Sequence, residues 1–233
     1  IESDVMVGDN TWIGPHTTVG AGTRLGAGCR VFPGASVGLI PQDLKFDGEK
    51  TYLHVGDKTT IRECVTLNRG TEASGETRIG SNCLLMAYTH VGHDCVIGNN
   101  VIIANCSALA GHLQIGDHVT IGGLVPIHQF THIGAHAFIG AGARPFMDVV
   151  PFAMVGAEPT RISGINKVGL ERRGFDAERR NAISKAYRIL FRKGLSVEQA
   201  VPVLTETFAG NDDIAQLLSF IEHSTRGLLR PAA

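Results

Sequence analysis

A six-residue repeat of aliphatic side chains constrains the fold of this chain more than any other feature. From Ile79 to Ile139, isoleucine, leucine or valine occupies every sixth position, eleven times in succession. Since these three residue types make up about a quarter of the chain, accidental recurrence has odds on the order of one in a few million. The same phase runs through two earlier segments, at Val7, Ile13, Val19, Leu25, Val31, Val37, Val55, Ile61 and Leu67.

A period of six fits neither an α-helix nor a simple amphipathic strand, but it fits a short strand followed by a tight turn. The aliphatic side chain then points inward, and a small residue such as Cys29, Cys83 or Cys95 recurs four positions later, where inward side chains crowd at a corner. Hexads of this form resemble the left-handed parallel β-helix, in which three hexads make one triangular coil of 18 residues. We therefore predict a mainly β fold, with this β-helix spanning residues 1–157 and its coils stacked at about 4.8 Å.

Two segments interrupt the hexads without changing their phase, residues 43–54 and 73–78, and we predict that both leave the β-helix as loops. Helical signals replace the hexads after Pro159. Asp176 and Gly194 fit the two ends of one helix, the Ser196–Gln199 spacing predicts a capping box at the next, and a third is expected from about 212 to 226. The chain is thus predicted to end in a small α-helical domain, residues 158–233.

Composition and charge narrow the class of protein. The 21 basic and 22 acidic residues give a net charge of −1, which argues against nucleic-acid binding. No apolar run reaches the roughly 18 residues of a transmembrane helix, so we expect no transmembrane segment. Five cysteines without disulfide or zinc spacing indicate a reducing, cytoplasmic setting. The chain starts at Ile1 rather than Met, and we expect further residues before it.

The 18-residue coil gives each histidine an address, because residues 18 apart stack on successive coils. The address is the remainder when the residue number is divided by 18. His128, His93 and His112 have remainders 2, 3 and 4 and lie on three consecutive coils, so they line one edge of the β-helix. His90, with remainder 0, lies close by. The aliphatic ladder does not need polar side chains there, so we interpret this edge as a functional site. His118 and His136 share remainder 10 at another corner and are predicted to be an ordinary surface ladder.

The histidine edge has the parts needed for acyl transfer to a hydroxyl. His93 is a candidate general base, and the adjacent Asp94 could fix its tautomer. Gly111, 18 residues after His93, offers a bare backbone N–H to a developing oxyanion. Cys95 takes an inward position and no serine nucleophile is evident, so direct transfer without an acyl-enzyme is the simpler prediction.

Several motifs together carry a specific family resemblance: QDLKF at 42–46, NRGT at 68–71, NCLLMAYTHVGHDC at 82–95, LAGH at 109–112, IHQF at 127–130 and GLERRGF at 169–175. The chain resembles the acyl-[acyl-carrier-protein]–UDP-N-acetylglucosamine O-acyltransferases of lipid A biosynthesis. The resemblance implies a homotrimer with active sites in clefts between β-helices. It also implies transfer of an (R)-3-hydroxyacyl group from acyl carrier protein to the 3-hydroxyl of UDP-N-acetylglucosamine, with no metal and no dissociable organic cofactor.

The resemblance assigns roles to individual residues. His93 matches the general base, Asp94 its helper and Gly111 the oxyanion amide. The residues expected to contact the substrates or to line the cleft are Gln42, Asp43, Lys45, His90, His112, His128 and Gln129. Those expected to hold the nucleotide and its phosphates are Asn166, Arg172 and Arg173, the arginines through guanidinium forks.

Three positions near the expected substrate contacts carry residues that bear on specificity. The family often has histidine where Asn68 stands and an acidic residue where Val168 stands, so ribose recognition is expected to differ. Ala141 occupies the position that limits the acyl pocket, where glycine accompanies longer chains. We therefore expect a modestly shortened pocket.

Basic residues concentrate in the first predicted helix of the C-terminal domain. Because acyl carrier proteins are acidic, this surface is expected to dock them through charge steering. The residues expected to do so are Arg179, Arg180, Lys185, Arg188 and Arg192.

Other classes remain open from the sequence. A hexapeptide-repeat hydratase of the carbonic anhydrase type could use His93, His128 and His132 as zinc ligands. The N-acylating enzyme of the same pathway and acetyltransferases that use coenzyme A share the hexads, and the acceptor could bear a hydroxyl or an amine at the sugar 3-position. A purely structural solenoid would not need the histidine edge.

Overall fold

The computed structural model describes residues 1–232 and shows short parallel strands that wind around a triangular prism. Each strand pairs with the strand one full coil later, so that Arg78 lies beside Val96 and Ile79 beside Ile97, 18 residues on. Successive hexads therefore fall on three different faces. Together with the hexapeptide pattern, this arrangement is the left-handed parallel β-helix predicted from the sequence.

The three faces are three sheets whose strands all run parallel except β22, at the edge of face 2. Face 1 contains β1 Met6–Val7, β4 Thr23–Leu25, β7 Tyr52–Val55, β10 Glu76–Ile79, β13 Val96–Ile97, β16 Gln114–Ile115 and β19 His132–Ile133. Face 2 contains β2 Trp12–Ile13, β5 Arg30–Val31, β8 Thr60–Ile61, β11 Leu84–Leu85, β14 Ile102–Ile103, β17 Thr120–Ile121, β20 Phe138–Ile139, β21 Ala153–Gly156 and β22 Arg161–Ile165. Face 3 contains β3 Thr18–Val19, β6 Ser36–Leu39, β9 Thr66–Asn68, β12 His90–Val91, β15 Ala108–Leu109 and β18 Pro126–Ile127.

The aliphatic positions of the repeat fill the prism, and Ile61, Leu85, Ile103 and Ile121 are completely buried. Small inward residues at the corners are buried as predicted, among them Cys29, Cys83 and Cys95. The corners are tight enough that non-glycine residues adopt the left-handed region, as Asp94 does with φ 58°. That conformation costs roughly 1–2 kcal/mol per residue, which the stacked coils offset through backbone hydrogen bonds between them.

Both interruptions are loops, but their bounds differ from the prediction. The first loop comprises residues 40–51 and the second residues 69–75, because β7 and β10 are each four residues long. β7 and β10 pair with each other along their whole length, from Tyr52 beside Glu76 to Val55 beside Ile79. The two predicted segments therefore included three strand residues each, 52–54 and 76–78.

After the last coil, β21 and β22 pair antiparallel, and the predicted domain boundary at 157/158 falls in the turn between them. In the described part of the chain four helices follow: α1 Lys167–Arg172, α2 Ala177–Arg192, α3 Val197–Thr207 and α4 Asp212–Glu222. Asp176 caps α2, and the predicted capping box of Ser196 and Gln199 is present at α3. The short helix α1 was not predicted, since its six residues carry no helical periodicity.

Helix α4 ends at Glu222 rather than near residue 226, and Asp148 supplies the reason. This fully buried aspartate accepts hydrogen bonds from the Ser224 hydroxyl at 2.6 Å and from the backbone N–H groups of Thr225 and Arg226, each at 3.2 Å. These contacts hold the chain against the end of the β-helix, so the helix cannot continue. Within residues 1–232, no helix is long and apolar enough to cross a membrane.

Candidate active site

The corner between faces 3 and 1 carries all three predicted catalytic residues, and we call it the histidine corner (residues 90–95, 110–113 and 128–131). The His93 and His112 rings meet edge to face with centroids 5.0 Å apart. His112 in turn stacks on Phe130, at 4.5 Å and 8° between planes. The stacking follows from the coil, because the His112 N–H donates to the His93 carbonyl at 2.9 Å one coil below.

Asp94 orients His93 and is itself fixed by the second loop. The His93 Nδ1–H donates to Oδ2 of Asp94 at 2.7 Å. The carboxylate also accepts the Thr71 N–H at 2.9 Å, the Thr71 hydroxyl at 2.7 Å and the Ser74 hydroxyl. Burial alone would raise the Asp94 pKa, but the hydrogen bonds from Ser74, Thr71 and His93 outweigh it and lower the pKa to about 2. Asp94 therefore remains a carboxylate at neutral pH, and Nε2 of His93 is left unprotonated in the neutral ring.

Gly111 gives His93 the room it needs. A Cβ at this position would lie 2.7 Å from Cε1 and 2.8 Å from Nε2 of His93, closer than real Cβ contacts allow. Within residues 1–232, the Gly111 N–H donates no hydrogen bond. A backbone donor beside the His93 ring is therefore available to a ligand, as the oxyanion prediction requires.

The first loop adds an acidic and a basic residue to the histidine corner. Oδ2 of Asp43 lies 4.0 Å from Nε2 of His93, and Oδ1 of Asp43 accepts the Lys45 N–H at 3.0 Å. The ammonium of the exposed Lys45 lies close enough to His112 to influence it electrostatically. Gln42 is exposed on the same loop.

The two loops contact each other through Glu49. Its Oε1 accepts the Glu72 N–H of the second loop at 3.1 Å, and its Oε2 accepts the Asp47 N–H at 2.8 Å. Arg69 places its guanidinium 5.4 Å from the Phe46 ring centroid. These contacts join the loop that carries Asp43 to the loop that holds Asp94.

Recorded contacts or electrostatic couplings link three of the four predicted histidines, whereas His128 is exposed at the corner and contacts Gln129. Nδ1 of His90 lies 2.7 Å from the Thr66 hydroxyl, and burial followed by the neighbouring His93 lowers the His90 pKa. Burial also lowers the His112 pKa, although Asp94 opposes it. His128 is exposed, as is its neighbour Gln129, and its Nδ1–H donates to the Gln129 carbonyl at 3.0 Å.

The predicted nucleotide residues lie on the opposite side of the same chain, in what we call the arginine cavity. It has a volume of about 440 Å³ and is lined by Ile102, Thr120, Phe138 and Met154 of face 2 and by Asn166, Val168, Gly169, Arg172 and Arg173. In a triangular prism, face 2 is opposite the corner between faces 3 and 1. A single chain therefore does not unite the arginines with His93.

Inside the arginine cavity the three predicted residues have different environments. Asn166 is 3% exposed; its Oδ1 accepts the Gly169 N–H at 3.1 Å and its Nδ2 donates to the His136 carbonyl at 3.0 Å, so the amide caps α1. Arg172 is exposed. Within the described residues, Nη1 of Arg173 is buried without a hydrogen-bond partner, and burial lowers the Arg173 pKa. A buried guanidinium donor without an acceptor marks a place for an anionic ligand.

Two of the three specificity positions lie on or beside face 2, whereas Asn68 ends β9, the strand that pairs with β12 of the histidine corner. Ala141 is exposed at the corner between faces 2 and 3, and Val168 is 55% exposed beside the arginine cavity. Asn68 is buried at 5% exposure and donates through Nδ2 to the Ile40 carbonyl at 2.9 Å, at the start of the first loop. Asn68 thus contacts the base of the loop that carries Asp43.

The five basic residues of α2 divide into two groups. Arg179 forms a bidentate pair with Asp213, at 2.9 and 2.8 Å, and covers the Phe175 ring at 3.8 Å. Arg180 donates to the Phe175 carbonyl at 2.8 Å. The other three, Lys185, Arg188 and Arg192, have exposed side chains, and of these Arg192 donates to the Ala232 carbonyl at 3.1 Å.

His118 and His136 form the predicted ladder, but the ladder is half-buried and continues into the buried rings of Phe152 and Phe175 as one aromatic column. His136 stacks on His118 at 4.9 Å and on Phe152 at 5.8 Å, and the edge of Phe175 approaches it at 5.0 Å. Burial, followed by the nearby His118 and Arg173, lowers the His136 pKa to about 4. The column attaches the segment after α1 to the β-helix, which 18-residue counting alone could not reveal.

Comparison with known proteins decides the family. Residues 148–229 match the profile described as UDP-N-acetylglucosamine O-acyltransferase, domain 2, and residues 76–111 match bacterial transferase hexapeptide repeats. The acyl-[acyl-carrier-protein]–UDP-N-acetylglucosamine O-acyltransferase of Stenotrophomonas maltophilia strain R551-3 is 49% identical over 84% of this chain and 75% of its own length. The chain belongs to this O-acyltransferase family. The family's enzyme from Paracidovorax citrulli is 52% identical, over 85% of this chain and 78% of its own.

Solved acyltransferases of the family share the whole fold. The UDP-N-acetylglucosamine acyltransferase of Francisella novicida superimposes with a TM-score of 0.95 at 37% identity, covering 97% of this chain and 83% of that one. The enzyme from Bacteroides fragilis gives a TM-score of 0.94 at 38% identity, with 99% and 97% coverage. The similarity therefore includes both the β-helix and the C-terminal helices of an O-acyltransferase.

Metal binding at the histidine corner would compete with the hydrogen bonds that Asp94 accepts. Within residues 1–232, His93, Asp94 and His112 form the group whose atoms could converge on an ion. However, Asp94 already accepts four hydrogen bonds, which occupy about all the lone-pair sites of a carboxylate. The zinc set imagined from the sequence is not assembled, since His132 lies on face 1 and lines a groove beside α4.

Sequence reasoning missed Thr71, Ser74 and Phe130. Thr71 and Ser74 precede Asp94 by 23 and 20 residues, so the intervening loop removes them from the 18-residue count. Phe130 has remainder 4, like His112, and the count could have predicted their stacking. The NRGT motif was a signal for Thr71, but nothing in it named Asp94 as the partner.

Proposed function

We propose that this protein transfers an (R)-3-hydroxyacyl chain from acyl carrier protein to the 3-hydroxyl of UDP-N-acetylglucosamine, the first step of lipid A biosynthesis, in the cytoplasm. The observation that carries the proposal is the His93–Asp94 pair beside the free Gly111 N–H, in a chain of this acyltransferase family. Acyl carrier protein and UDP-N-acetylglucosamine are the substrates in the names of its relatives.

The proposed reaction is a direct acyl transfer. Nε2 of His93 takes the proton of the sugar hydroxyl while its oxygen attacks the thioester carbonyl. The Gly111 N–H stabilises the oxyanion that forms. Collapse of the tetrahedral intermediate breaks the carbon–sulfur bond, and the imidazolium of His93 returns its proton to the departing phosphopantetheine thiolate. Asp94 holds the Nδ1–H throughout and stabilises the imidazolium, without accepting its proton.

Direct transfer is favoured because the nearest thiol is unsuited to attack. Cys95 is fully buried and its Sγ donates to the Ala110 carbonyl at 3.1 Å. Burial raises the Cys95 pKa to about 12, so the thiolate needed for a covalent intermediate does not form at neutral pH. No metal or dissociable organic cofactor takes part in this mechanism.

We infer that the working site forms between chains of a homotrimer. His93 and Arg173 lie on opposite sides of one prism, so the histidine corner of one chain must face the arginine cavity of a neighbour. A cyclic trimer satisfies this head-to-tail contact with identical interfaces. The nucleotide then lies against Asn166, Arg172 and Arg173 of one chain, while Gln42, Asp43, Lys45, His90, His112, His128 and Gln129 of the other surround the sugar and the acyl donor.

Carrier protein docks on the exposed face of α2. Lys185, Arg188 and Arg192 present their charges to solvent, which suits steering of an acidic partner. Arg179 and Arg180 contribute less, because Arg179 is paired with Asp213 and Arg180 is bonded to the Phe175 carbonyl.

Ala141 shortens the pocket for the acyl chain.

Mass spectrometry of the product tests this function. The protein is incubated with UDP-N-acetylglucosamine and a mixture of acyl carrier proteins of graded 3-hydroxyacyl length. An alkali-labile ester on the sugar is expected, from carrier-protein donors and not from acyl coenzyme A, at a rate unaffected by chelators. An alkali-stable amide, or a product formed only from coenzyme A donors, would instead favour the N-acylating or acetyltransferase alternatives. Equal rates for short and long acyl donors would contradict the prediction that Ala141 shortens the acyl pocket.

A further inference from the structure

The second loop holds both oxygens of the Asp94 carboxylate. Thr71 donates both its N–H and its hydroxyl, and Ser74 donates its hydroxyl, so three of the four hydrogen bonds to Asp94 come from this loop. The Asp94 side chain is 1% exposed. The loop therefore takes the place of water around this charge.

We propose that Thr71 and Ser74 are positioning residues that direct Asp94 onto His93 and set the proton affinity of the pair. The proposal rests on the proposed function, in which His93 is the general base. It assigns a catalytic purpose to the second loop, which the hexad repeat does not need.

Asp94 lies within reach of both His93 and His112, and the second loop determines which of them it bonds. Oδ2 of Asp94 lies 2.7 Å from Nδ1 of His93 and 3.8 Å from Nε2 of His112. A carboxylate free to rotate could move towards His112 and release the His93 tautomer. The Thr71 hydroxyl bonds the same Oδ2 that His93 uses, while Ser74 and the Thr71 N–H bond Oδ1. Both oxygens are thus fixed, and the plane of the carboxylate with them.

The single hydroxyl proton of Ser74 has two possible acceptors. The Glu76 carbonyl lies 2.9 Å from its Oγ, and Oδ1 of Asp94 also lies within bonding distance. Charge-assisted hydrogen bonds are roughly twice as strong as neutral ones, so the carboxylate is the favoured acceptor. The Ser74 oxygen then accepts the Glu76 N–H at 3.4 Å.

Removing these donors changes the basicity of the pair in a defined direction. A carboxylate with fewer donors holds its negative charge more tightly localised, so it attracts the proton on His93 more strongly. The imidazolium then persists to higher pH. The other titratable groups that face His93, namely Asp43, His90, His112 and Lys45, are the same in every variant, so the change reports on the second loop.

The pH–rate profile of Thr71→Val/Ser74→Ala tests the proposal. Valine keeps the shape of threonine and removes only its hydroxyl. We expect the acidic limb of kcat/KM to move up by about 0.5–1 pH unit and the plateau of kcat to fall about tenfold. The single variant Ser74→Ala changes an exposed residue and should move the limb in the same direction by less. The single variant Thr71→Ser, which retains the hydroxyl, should have the same pH–rate profile as the wild-type protein.

Thr77→Val is the matched control. Thr77 is buried on β10, and its hydroxyl has no hydrogen-bond partner within the described residues, so its loss should leave the profile unchanged. A lower plateau with an unmoved limb in the double variant would mean that Thr71 and Ser74 act on folding alone, and would overturn the proposal.

The same shift is measurable without turnover, from the ¹⁵N titration of the His93 ring in the free protein. A midpoint equal to wild type in the double variant contradicts the proposal, whatever the activity. If instead His93→Ala retains turnover, the general-base function fails, while the ¹⁵N titration still reports whether the loop acts on the pair. The two failures are therefore distinguishable.

Discussion

The histidine corner and the arginine cavity lie on opposite sides of one prism and differ in how their polar groups are satisfied. Asp94 accepts four hydrogen bonds, and His93 is fixed between Asp94 and Gly111. In the arginine cavity, by contrast, Nη1 of Arg173 is buried without a partner within the described residues. The side chains of His93 and Asp94 are thus already oriented in the free chain. The cavity keeps an unpaired guanidinium donor, which is typical of a surface that binds an anion.

The largest expected effect separates chemistry from binding. His93→Ala removes the proposed base and should lower kcat by about 10²- to 10⁴-fold, with little change in KM for UDP-N-acetylglucosamine. Steady-state kinetics check this, with His118→Asn as the control, because Asn100 occupies the equivalent position one coil earlier. Retained turnover in His93→Ala would defeat the general-base assignment.

The opposite kinetic signature is expected from the arginine cavity. Arg173→Ala removes charge-assisted hydrogen bonds to the nucleotide phosphates and should raise KM for UDP-N-acetylglucosamine by about 10- to 100-fold. The exposed Arg161 on β22 provides the control, Arg161→Ala, with an unchanged KM. If Arg173→Ala lowered kcat and left KM unchanged, the division between corner and cavity would be wrong.

Acid should weaken the aromatic column beside the arginine cavity. The His136 pKa is about 4 in the folded protein and about 6.5 in the unfolded chain, so only the unfolded state gains a proton between these values. Stability is therefore lost as pH falls from about 6.5 towards about 4. His136→Phe keeps the stack without the titration. Between pH 7 and pH 5, Tm should fall by about 3 °C less in His136→Phe than in wild type; an equal fall would contradict this.

The smallest effect is expected where the two loops meet. Glu49→Gln keeps an acceptor for the Glu72 N–H but removes the charge, so kcat/KM should fall by only about two- to threefold at this exposed contact. Glu72→Gln is the matched control, because Glu72 contributes its backbone N–H to the contact. A loss in Glu49→Gln as large as that in His93→Ala would mean that the loops carry more of the catalysis than the corner.

The sequence predicted the β-helix because an aliphatic residue recurs every six positions in each coil. It also predicted that His93 and His112 meet and that Asp94 lies beside His93, since coil counting holds without interruption from residue 79. Contacts that cross a loop escaped prediction. Thr71 and Ser74 reach Asp94 over an insertion that breaks the count, and Asp148 ends α4 through residues 76 to 78 positions away. Such contacts depend on where the loops fold back, which no repeat encodes.

Mixing two inactive variants tests the division between corner and cavity most directly. His93→Ala and Arg173→Ala chains are unfolded together, refolded in equal amounts and assayed at a UDP-N-acetylglucosamine concentration where each variant alone is inactive. If each site combines the corner of one chain with the cavity of another, about a quarter of the sites regain both residues and about a quarter of wild-type activity returns. Activity no greater than that of the separate variants would contradict a site shared between chains.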